Sequence, residues 1–314
     1  MSTRITTSNY YSSVLAELMA AQTRENTANL QVSTGKLASD LSGFGDQSSN
    51  IVATNAVKAR VDGMVSQLNN LGVKMTFQQT AVEQIGTVAT NLKLALTNAL
   101  ANGDGTDLMN QVSSLFSQAS EALNTQYGGD YIFSGGQTQT QPFTATSLSD
   151  LSTQPSVSTF FKNGDLTPTS QIDDNVSIQT GFTASTLGQS LMTQFQSIQN
   201  FQQGSYGNIN GPLTTAQQTY LSSAISALDA VVTATTQNSA TGGDMQAQVT
   251  AAATTQTDRQ TTLKVALGDM TDINTADAAS ALTQAQTAVQ ASAQVFTTLK
   301  SMSLLNYLSP TTTG

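Results

Sequence analysis

Residues 57–99 read VKARVDGMVSQLNNLGVKMTFQQTAVEQIGTVATNLKLALTNA. Alternate steps of four and three through this stretch give Val57, Val61, Met64, Leu68, Leu71, Met75, Gln78, Val82, Ile85, Ala89, Leu92, Leu96 and Ala99, apolar throughout except at Gln78. Residues at that spacing fall on one side of an α-helix, so the stretch predicts a single long helix whose seam must pack on other helices. At ~1.5 Å of rise per residue it extends roughly 65 Å, far beyond an average globular helix. Helices of that length and seam are built for structure and assembly.

The same spacing continues on either side. Val14, Leu18, Ala21, Ala28 and Val32 keep the four-three rhythm, with Glu25 polar in the series, while Leu15, Leu30, Leu37 and Leu41 widen the apolar stripe. This predicts a helix over residues 8–41, interrupted by the two glycines of Gly43-Phe44-Gly45-Asp46. Neither a Walker pattern nor a preceding strand accompanies that pair, so it is a break or hinge and not a phosphate loop. Past residue 99, Asn102-Gly103-Asp104-Gly105 is a turn; it lacks the glycine and distal glutamate placement of an EF-hand. Leu108, Val112, Leu115, Ala119 and Ala122 then predict a helix that folds back on the long one as an antiparallel hairpin.

At Tyr127-Gly128-Gly129-Asp130 helical periodicity gives way to Thr, Ser, Gln and Gly. Tyr131-Ile132-Phe133 predicts a strand, and residues 170–183 predict two short strands around Asp173-Asp174-Asn175. Those neighbouring aspartates diverge in a strand or turn, which makes them turn residues and not an acid–base pair. Helical spacing returns with Leu187, Leu191, Phe195 and Ile198, breaks over residues 204–211, and resumes at Leu221, Ile225, Leu228 and Val232. Gly242-Gly243 predicts another interruption. Leu263, Leu267 and Met270 follow, then Ala278, Leu282, Ala285, Val289, Ser292, Phe296 and Leu299. Met302, Leu304, Leu305, Tyr307 and Leu308 form an apolar tail that a monomer would leave in water and an assembly would bury. The expected fold class is mainly α: a long antiparallel helical bundle or coiled coil formed by the N- and C-terminal segments, with a small β-rich insert. Three domains are expected: a terminal helical domain of residues 1–45 plus 270–314, a helical rod domain of 46–130 plus 186–269, and an outer insert of 131–185.

Composition narrows the function. Only 10% of the 314 residues are charged, and the net charge is −9. Soluble domains usually carry charge on a quarter or so of their residues. Nucleic acid is an unfit partner for such a chain, because phosphate binding needs concentrated Lys and Arg. There is no Cys, His or Trp. Thiolate nucleophiles, disulfides, ordinary zinc sites and the commonest general base are therefore all missing. No catalytic, cofactor or metal site is expected, and the chain is not expected to be an enzyme. Residues 1–8 hold no apolar core of a Sec signal, and no run approaches the ~18 apolar residues of a membrane span. That pattern fits a cytosolic protein or one exported without a cleaved signal.

Several short elements resemble the bacterial flagellin superfamily. Gln31-Val32-Ser33-Thr34-Gly35-Lys36 is similar to its N-terminal Leu-Ser-Ser/Thr-Gly-Lys/Leu element, and residues 281–292 are similar to its C-terminal helix, where Leu-Thr-x-Ala-Gln recurs. Two others resemble the hook–filament junction proteins of the flagellum (hook-associated protein 3). They are Tyr131-Ile132-Phe133-Ser134-Gly135-Gly136, followed by Thr140-Gln141-Pro142-Phe143, and Ser303-Leu304-Leu305-Asn306-Tyr307-Leu308. The chain departs from the family at Asp40-Leu41-Ser42-Gly43-Phe44-Gly45-Asp46, where many members carry Asp-Asp-Pro or Asp-Asp-Ala-Ala-Gly. The resemblance implies a secreted flagellar structural subunit that joins hook to filament. It implies self-assembly through paired terminal helices, type III export with a chaperone, and neighbours that include the hook-side junction protein and filament flagellin. Val14, Leu15, Leu18, Leu37, Val289, Phe296, Leu299, Leu304 and Leu305 are the candidate subunit-interface residues; each could instead hold the two terminal helices of one subunit together. A filament-forming flagellin is the alternative, and another helical type III-secreted assembly protein stands further off.

Overall fold

The computed structural model describes residues 2–308, with side chains described from residue 10 to residue 301. Its helices are α1 (Ser2–Thr34), α2 (Ser48–Asn102), α3 (Leu108–Leu123), α4 (Ala184–Gln203), α5 (Thr215–Thr271) and α6 (Thr275–Leu308). Two small antiparallel sheets pair β1 (Gln126–Tyr127) with β2 (Asp130–Tyr131), and β3 (Thr169–Asp173) with β4 (Val176–Gln179). The fold is mainly helical with a small β insert, as the heptads and the Thr/Ser-rich stretch predict. Among the described residues no helix is long and apolar enough to cross a membrane. The chain divides into a terminal unit, Met1–Arg60 with Arg259–Gly314, and a central unit, Val61–Asp258.

In the central unit the predicted seam is the core. Leu68, Met75, Val82, Ile85, Ala89, Leu92 and Leu96 of α2 are all buried, together with Leu108, Val112, Phe116 and Ala119 of α3 and Leu221, Leu228 and Val249 of α5. Helix α5 runs antiparallel to α2. Gln246 Nε2 donates to Thr76 Oγ1 (3.3 Å), Gln79 Nε2 donates to Ser239 Oγ (3.1 Å), and Lys93 pairs with Asp229 at 2.5 Å. At the far end a miniature ladder joins their flanking turns, Leu213 N–H to Gly103 O (2.7 Å) and Gly105 N–H to Gly211 O (2.9 Å).

Gln78, the polar residue in the seam, is 3% exposed and meets the insert, its Oε1 lying 3.1 Å from the place a Cβ of Gly181 would occupy. The one polar residue of the seam sits where it meets the insert. Amide side chains also tie the insert down in place of missing strands. Asn124 copies a β-ladder against Phe143, donating to its carbonyl (2.9 Å) and accepting from its N–H (3.0 Å). Gln196 donates to the carbonyls of Leu151 (2.7 Å) and Gln154 (2.8 Å). Phe116, Phe143 and Phe195 fill the space between, with Phe116 edge-on to Phe195 at 5.8 Å.

Three local expectations are corrected. The first helix stops at Thr34, short of the expected end at residue 41. Gly35 takes a left-handed φ of 68°, and its N–H returns to Gln31 O at 2.8 Å. Glycine in that conformation ends helices well, because it has no Cβ to clash. Residues 41–47 form a 3-10 turn, with Asp40 capping it through Gly43 N–H. The strand expected at Tyr131-Ile132-Phe133 keeps only Tyr131, paired across the Gly128-Gly129 turn; Ile132 and Phe133 instead leave the hairpin to enter the core. Helix α5 passes unbroken through Gly242-Gly243. Gly242 faces α2 where Gln79 lies, and a Cβ there would collide with the Gln79 carboxamide. A glycine that serves close approach carries the same sequence signature as one that breaks a helix.

Candidate functional site

Terminal helices α1 and α6 lie antiparallel within the terminal unit. Tyr11 packs at a tilt against Phe296, with ring centroids 5.1 Å apart. At the other end, Leu37 N–H donates to Thr271 O (2.8 Å), Ile273 N–H donates to Gly35 O (3.1 Å), and Lys36 pairs with Asp272. The Lys36 ammonium, with help from the Thr271 hydroxyl, holds the Asp272 carboxyl below the ordinary carboxylate range. Both members of this pair are open to solvent. Water screens such a pair, so it marks register more than it adds stability.

The seam between the two helices is thin. Among the described side chains its buried residues are Val14, Ala21 and Ala28 on α1 and Ala278 and Ala285 on α6, each set stepping by seven. Alanines let the backbones approach closely but remove little apolar surface from water. At about 25 cal/mol per Å², such a seam contributes far less than the leucine and phenylalanine core of the central unit. Isolated helix pairs are marginal without such burial.

The outer face of the pair is correspondingly apolar. Leu15 (39% exposed), Met19 (60%) and Leu30 (54%) share one face of α1. By helical geometry that face lies roughly a third to a half of a turn round from the buried seam. Tyr10, Val295 and Leu299 border an open groove farther along. A second groove runs between the helices over Thr27, Ala28, Ala281, Gln284 and Ala288. Among the described side chains of α1 and α6 the charges are few: Glu17, Arg24, Glu25, Asp277 and Lys300. Threonine and serine take their place, and these bond to their own helix. Thr23 donates to Met19 O, Thr27 to Thr23 O, Thr283 to Ala279 O and Thr287 to Thr283 O, all at 2.9–3.0 Å.

The candidate interface residues therefore fall into different surroundings. Val14 is buried by the α1–α6 pairing, 6% exposed. Leu18, Val289, Phe296 and Leu299 are half-buried at its edges. Leu15 and Leu37 are exposed. Leu304 and Leu305 lie on the α6 backbone, and their side chains are outside the described residues. Met19, Tyr10 and Val295 stand out among the exposed apolar residues and lie off the heptad series. The four-residue step from Leu15 to Met19 is the sequence signal that points to Met19. Among the described residues no group of three or more carboxylates could hold a metal ion.

Residues 225–308 match the family model of the bacterial flagellin C-terminal helical region. No curated protein matches the chain. Among solved structures, a Vibrio parahaemolyticus protein described as a flagellar hook-associated protein shares the fold with a TM-score of 0.58 and 14% identity, covering 73% of this chain and 100% of its own. Bacillus cereus FlgL matches with a TM-score of 0.52 and 14% identity, over 69% of this chain and 98% of its own. The matched helical region takes in most of α5 and all of α6, and the two solved structures share the fold of the chain.

Proposed function

We propose that this chain is a structural subunit of the bacterial flagellum that joins hook to filament, polymerising through its terminal helices. The observation that carries the proposal is the α1–α6 pair: a thin alanine seam inside, large apolar side chains outside, and a C-terminal helix that matches flagellins. A pair so lightly held gains its full stability when further helices cover the outer face. Burying that face costs little, because it holds few charges to desolvate and its hydroxyls are already satisfied.

In this reading, residues 1–45 plus 270–314 form the polymerising domain, 46–130 plus 186–269 the helical middle domain, and 131–185 the outward insert. Leu15 and Leu37 face other copies, with Leu18, Val289, Phe296, Leu299, Leu304 and Leu305 completing the contact. Val14 mainly joins α1 to α6. The neighbours are other copies, the hook-side junction protein and filament flagellin, and a chaperone guards the exposed seams before export. The junction role, and not a filament role, rests on the resemblance of Tyr131–Gly136 and Ser303–Leu308 to junction proteins.

The test is a normally motile strain deleted for this gene, complemented with the full chain or with a chain lacking residues 302–314. The full chain should restore filaments on existing hooks, and the truncated one should be exported without restoring them. Filaments restored by the truncated chain would refute assembly through the terminal helices. Long homopolymers grown from the purified full chain alone would instead indicate a filament flagellin.

A further inference from the structure

The chain contains three Asn-Gly dipeptides, Asn102-Gly103, Asn163-Gly164 and Asn210-Gly211. In such a pair the glycine amide nitrogen can attack the asparagine carboxamide carbon, since no Cβ on the glycine hinders the approach. A bond forms between Gly N and Asn Cγ, and the bond from Cγ to Nδ2 breaks. The carboxamide nitrogen leaves as ammonia, taking up the proton that the glycine N–H gives up. Water then opens the resulting five-membered imide at either carbonyl, leaving aspartate or isoaspartate. The reaction needs a glycine N–H free of other partners and an asparagine carboxamide free to swing onto it.

The fold withholds one or both conditions at two of the three sites. Asn102 is the last residue of α2, and Gly103 N–H donates to Leu100 O at 3.3 Å. Asn163 is held from both ends of its carboxamide, donating to Gly164 O (3.1 Å) and Ser185 Oγ (3.0 Å) and accepting from Ser185 N–H (3.1 Å). Gly164 N–H is itself engaged with Ser134 O at 2.8 Å. Asn210 is different: it is exposed, and among the described residues neither its carboxamide nor the Gly211 N–H makes a hydrogen bond. The loop is anchored on either side, through Ile209 N–H to Gln202 Oε1 (2.7 Å) and Leu213 N–H to Gly103 O (2.7 Å).

We propose that Asn210-Gly211 is a site of spontaneous deamidation and isoaspartate formation in the folded protein, while Asn102 and Asn163 are protected by the fold. Isoaspartate adds a methylene to the main chain between Ile209 and Leu213, whose side chains both pack on Gly105. The change therefore lands in the turn ladder that closes the α2–α5 pair of the central unit. It does not depend on the assembly proposed above.

The experiment ages the intact, purified protein at mildly alkaline pH, folded and in concentrated urea, and maps aspartate and isoaspartate by peptide mass spectrometry with isoaspartyl methyltransferase labelling. In urea the three sites should convert at similar rates. In the folded protein Asn210 should keep its rate within a few-fold, while Asn102 and Asn163 slow by about tenfold or more, as expected when engaged hydrogen bonds must first break. Asn210→Gln should abolish the folded-state signal, since its longer side chain disfavours ring closure. Comparable folded-state rates at all three sites, or a protected Asn210, would overturn the proposal. Amide exchange at Gly105 and Leu213 should rise in the aged protein and not in Asn210→Asp, which carries the charge without the extra methylene; equal protection in aged and fresh protein would refute the effect on the ladder.

Discussion

Replacing Val14 and Leu15 by alanine, one at a time, separates the inner seam of the α1–α6 pair from its outer face. Val14 is 6% exposed. Val14→Ala therefore removes buried methyl groups worth about 1.5–3 kcal/mol in lost transfer and cavity terms. Alanine's better helix propensity returns about 0.6 kcal/mol, leaving a net loss of roughly 1–2.5 kcal/mol. Leu15 is 39% exposed, against 6% for Val14. Leu15→Ala should accordingly cost the free chain less than Val14→Ala, no more than about 1 kcal/mol, because part of its side chain is already in water and alanine is the better helix former. If another copy covers Leu15 in the assembly, the same change costs about 1–2 kcal/mol per added subunit. Since about 1.4 kcal/mol is a factor of ten in an equilibrium constant, the concentration needed for assembly should rise roughly tenfold. Hydrogen exchange over residues 10–34 reads the first effect in the monomer, and sedimentation of seeded assemblies reads the second. The two variants should exchange places between the assays: Val14→Ala loosens the monomer most, and Leu15→Ala chiefly weakens assembly. A Leu15→Ala protein that assembles at the wild-type concentration, or that loosens the monomer as much as Val14→Ala, would refute the assignment of the outer face.

At Gly135 φ is +62°, and a Cβ would run into the Gly164 carbonyl, which is backbone and cannot step aside. Gly135→Ala should therefore destabilise the central unit by about 2 kcal/mol or more. Thermal unfolding and amide exchange at Gly164 check it; a melting curve like that of the wild type would show that the two backbones part easily. Asp150 caps the 3-10 turn Leu148–Thr153 by accepting from Thr146 Oγ1 and the N–H groups of Thr146 and Ser147, which lowers its pKa from 3.8 to about 2. A lowered folded-state pKa contributes stability that is present above the unfolded value and lost as pH falls through the folded one. Asp150→Asn should thus cost stability at neutral pH and lose that difference between pH 3.8 and about 2. The cost belongs near the lower end of the cap range of about 0.5–2 kcal/mol, since water screens the exposed carboxylate. An equal difference at pH 2 and pH 7 in urea titrations would contradict it.

The seam of α2 is legible in the sequence because its period repeats for a dozen positions, and no alternative structure buries such a series. Its one exception, Gln78, carries meaning that only the fold supplies, since the sequence places no glycine of the insert opposite it. The end of α1 is hidden for a related reason. Apolar Leu37 and Leu41 continue the stripe, so local pattern extends the helix, but Gly35 ends it and Leu37 pairs instead with Thr271, more than two hundred residues away. Long-range backbone pairing leaves no periodic trace. The same limit governs the candidate site. Val14 and Leu15 are adjacent apolar residues about 100° apart on a helix, and either stripe could have faced α6. The widened apolar stripe takes in both, and only the partner's position separates a seam residue from an exposed one. In the insert, the Tyr-Ile-Phe-Ser-Gly-Gly element is recognisable as a motif, but its physical purpose shows only in the fold. Phe133 fills the core and hands its carbonyl to Ala184 N–H, Ser134 O takes Gly164 N–H, and Gly135 packs backbone to backbone on Gly164.

The low charge of this chain and its abundance of threonine are two sides of one solution. An exposed helix that must later be covered cannot carry many lysines and glutamates, because each would need a partner or suffer a large desolvation cost at the moment of burial. Nor can it be wholly apolar, because the free chain would then aggregate. Threonine meets both demands when its hydroxyl turns back to the carbonyl four residues earlier, as Thr23, Thr27, Thr283 and Thr287 do on the terminal helices. The hydroxyl still faces water in the free chain, and on burial it keeps its partner and needs no new one. Its methyl group remains available for packing. The same back-bonding recurs along α2 at Thr76, Thr80, Thr87 and Thr90 and along α5 at Thr233, Thr236, Thr250 and Thr254. β-branching and back-bonding both cost intrinsic helix stability, which is why such helices need the leucine seams beneath them. Where the seam is leucine, as in the central unit, the helices have that support within one chain. Where it is alanine, between α1 and α6, the deficit remains, and it is the surface beside that weak seam that exposes Leu15, Met19 and Leu30.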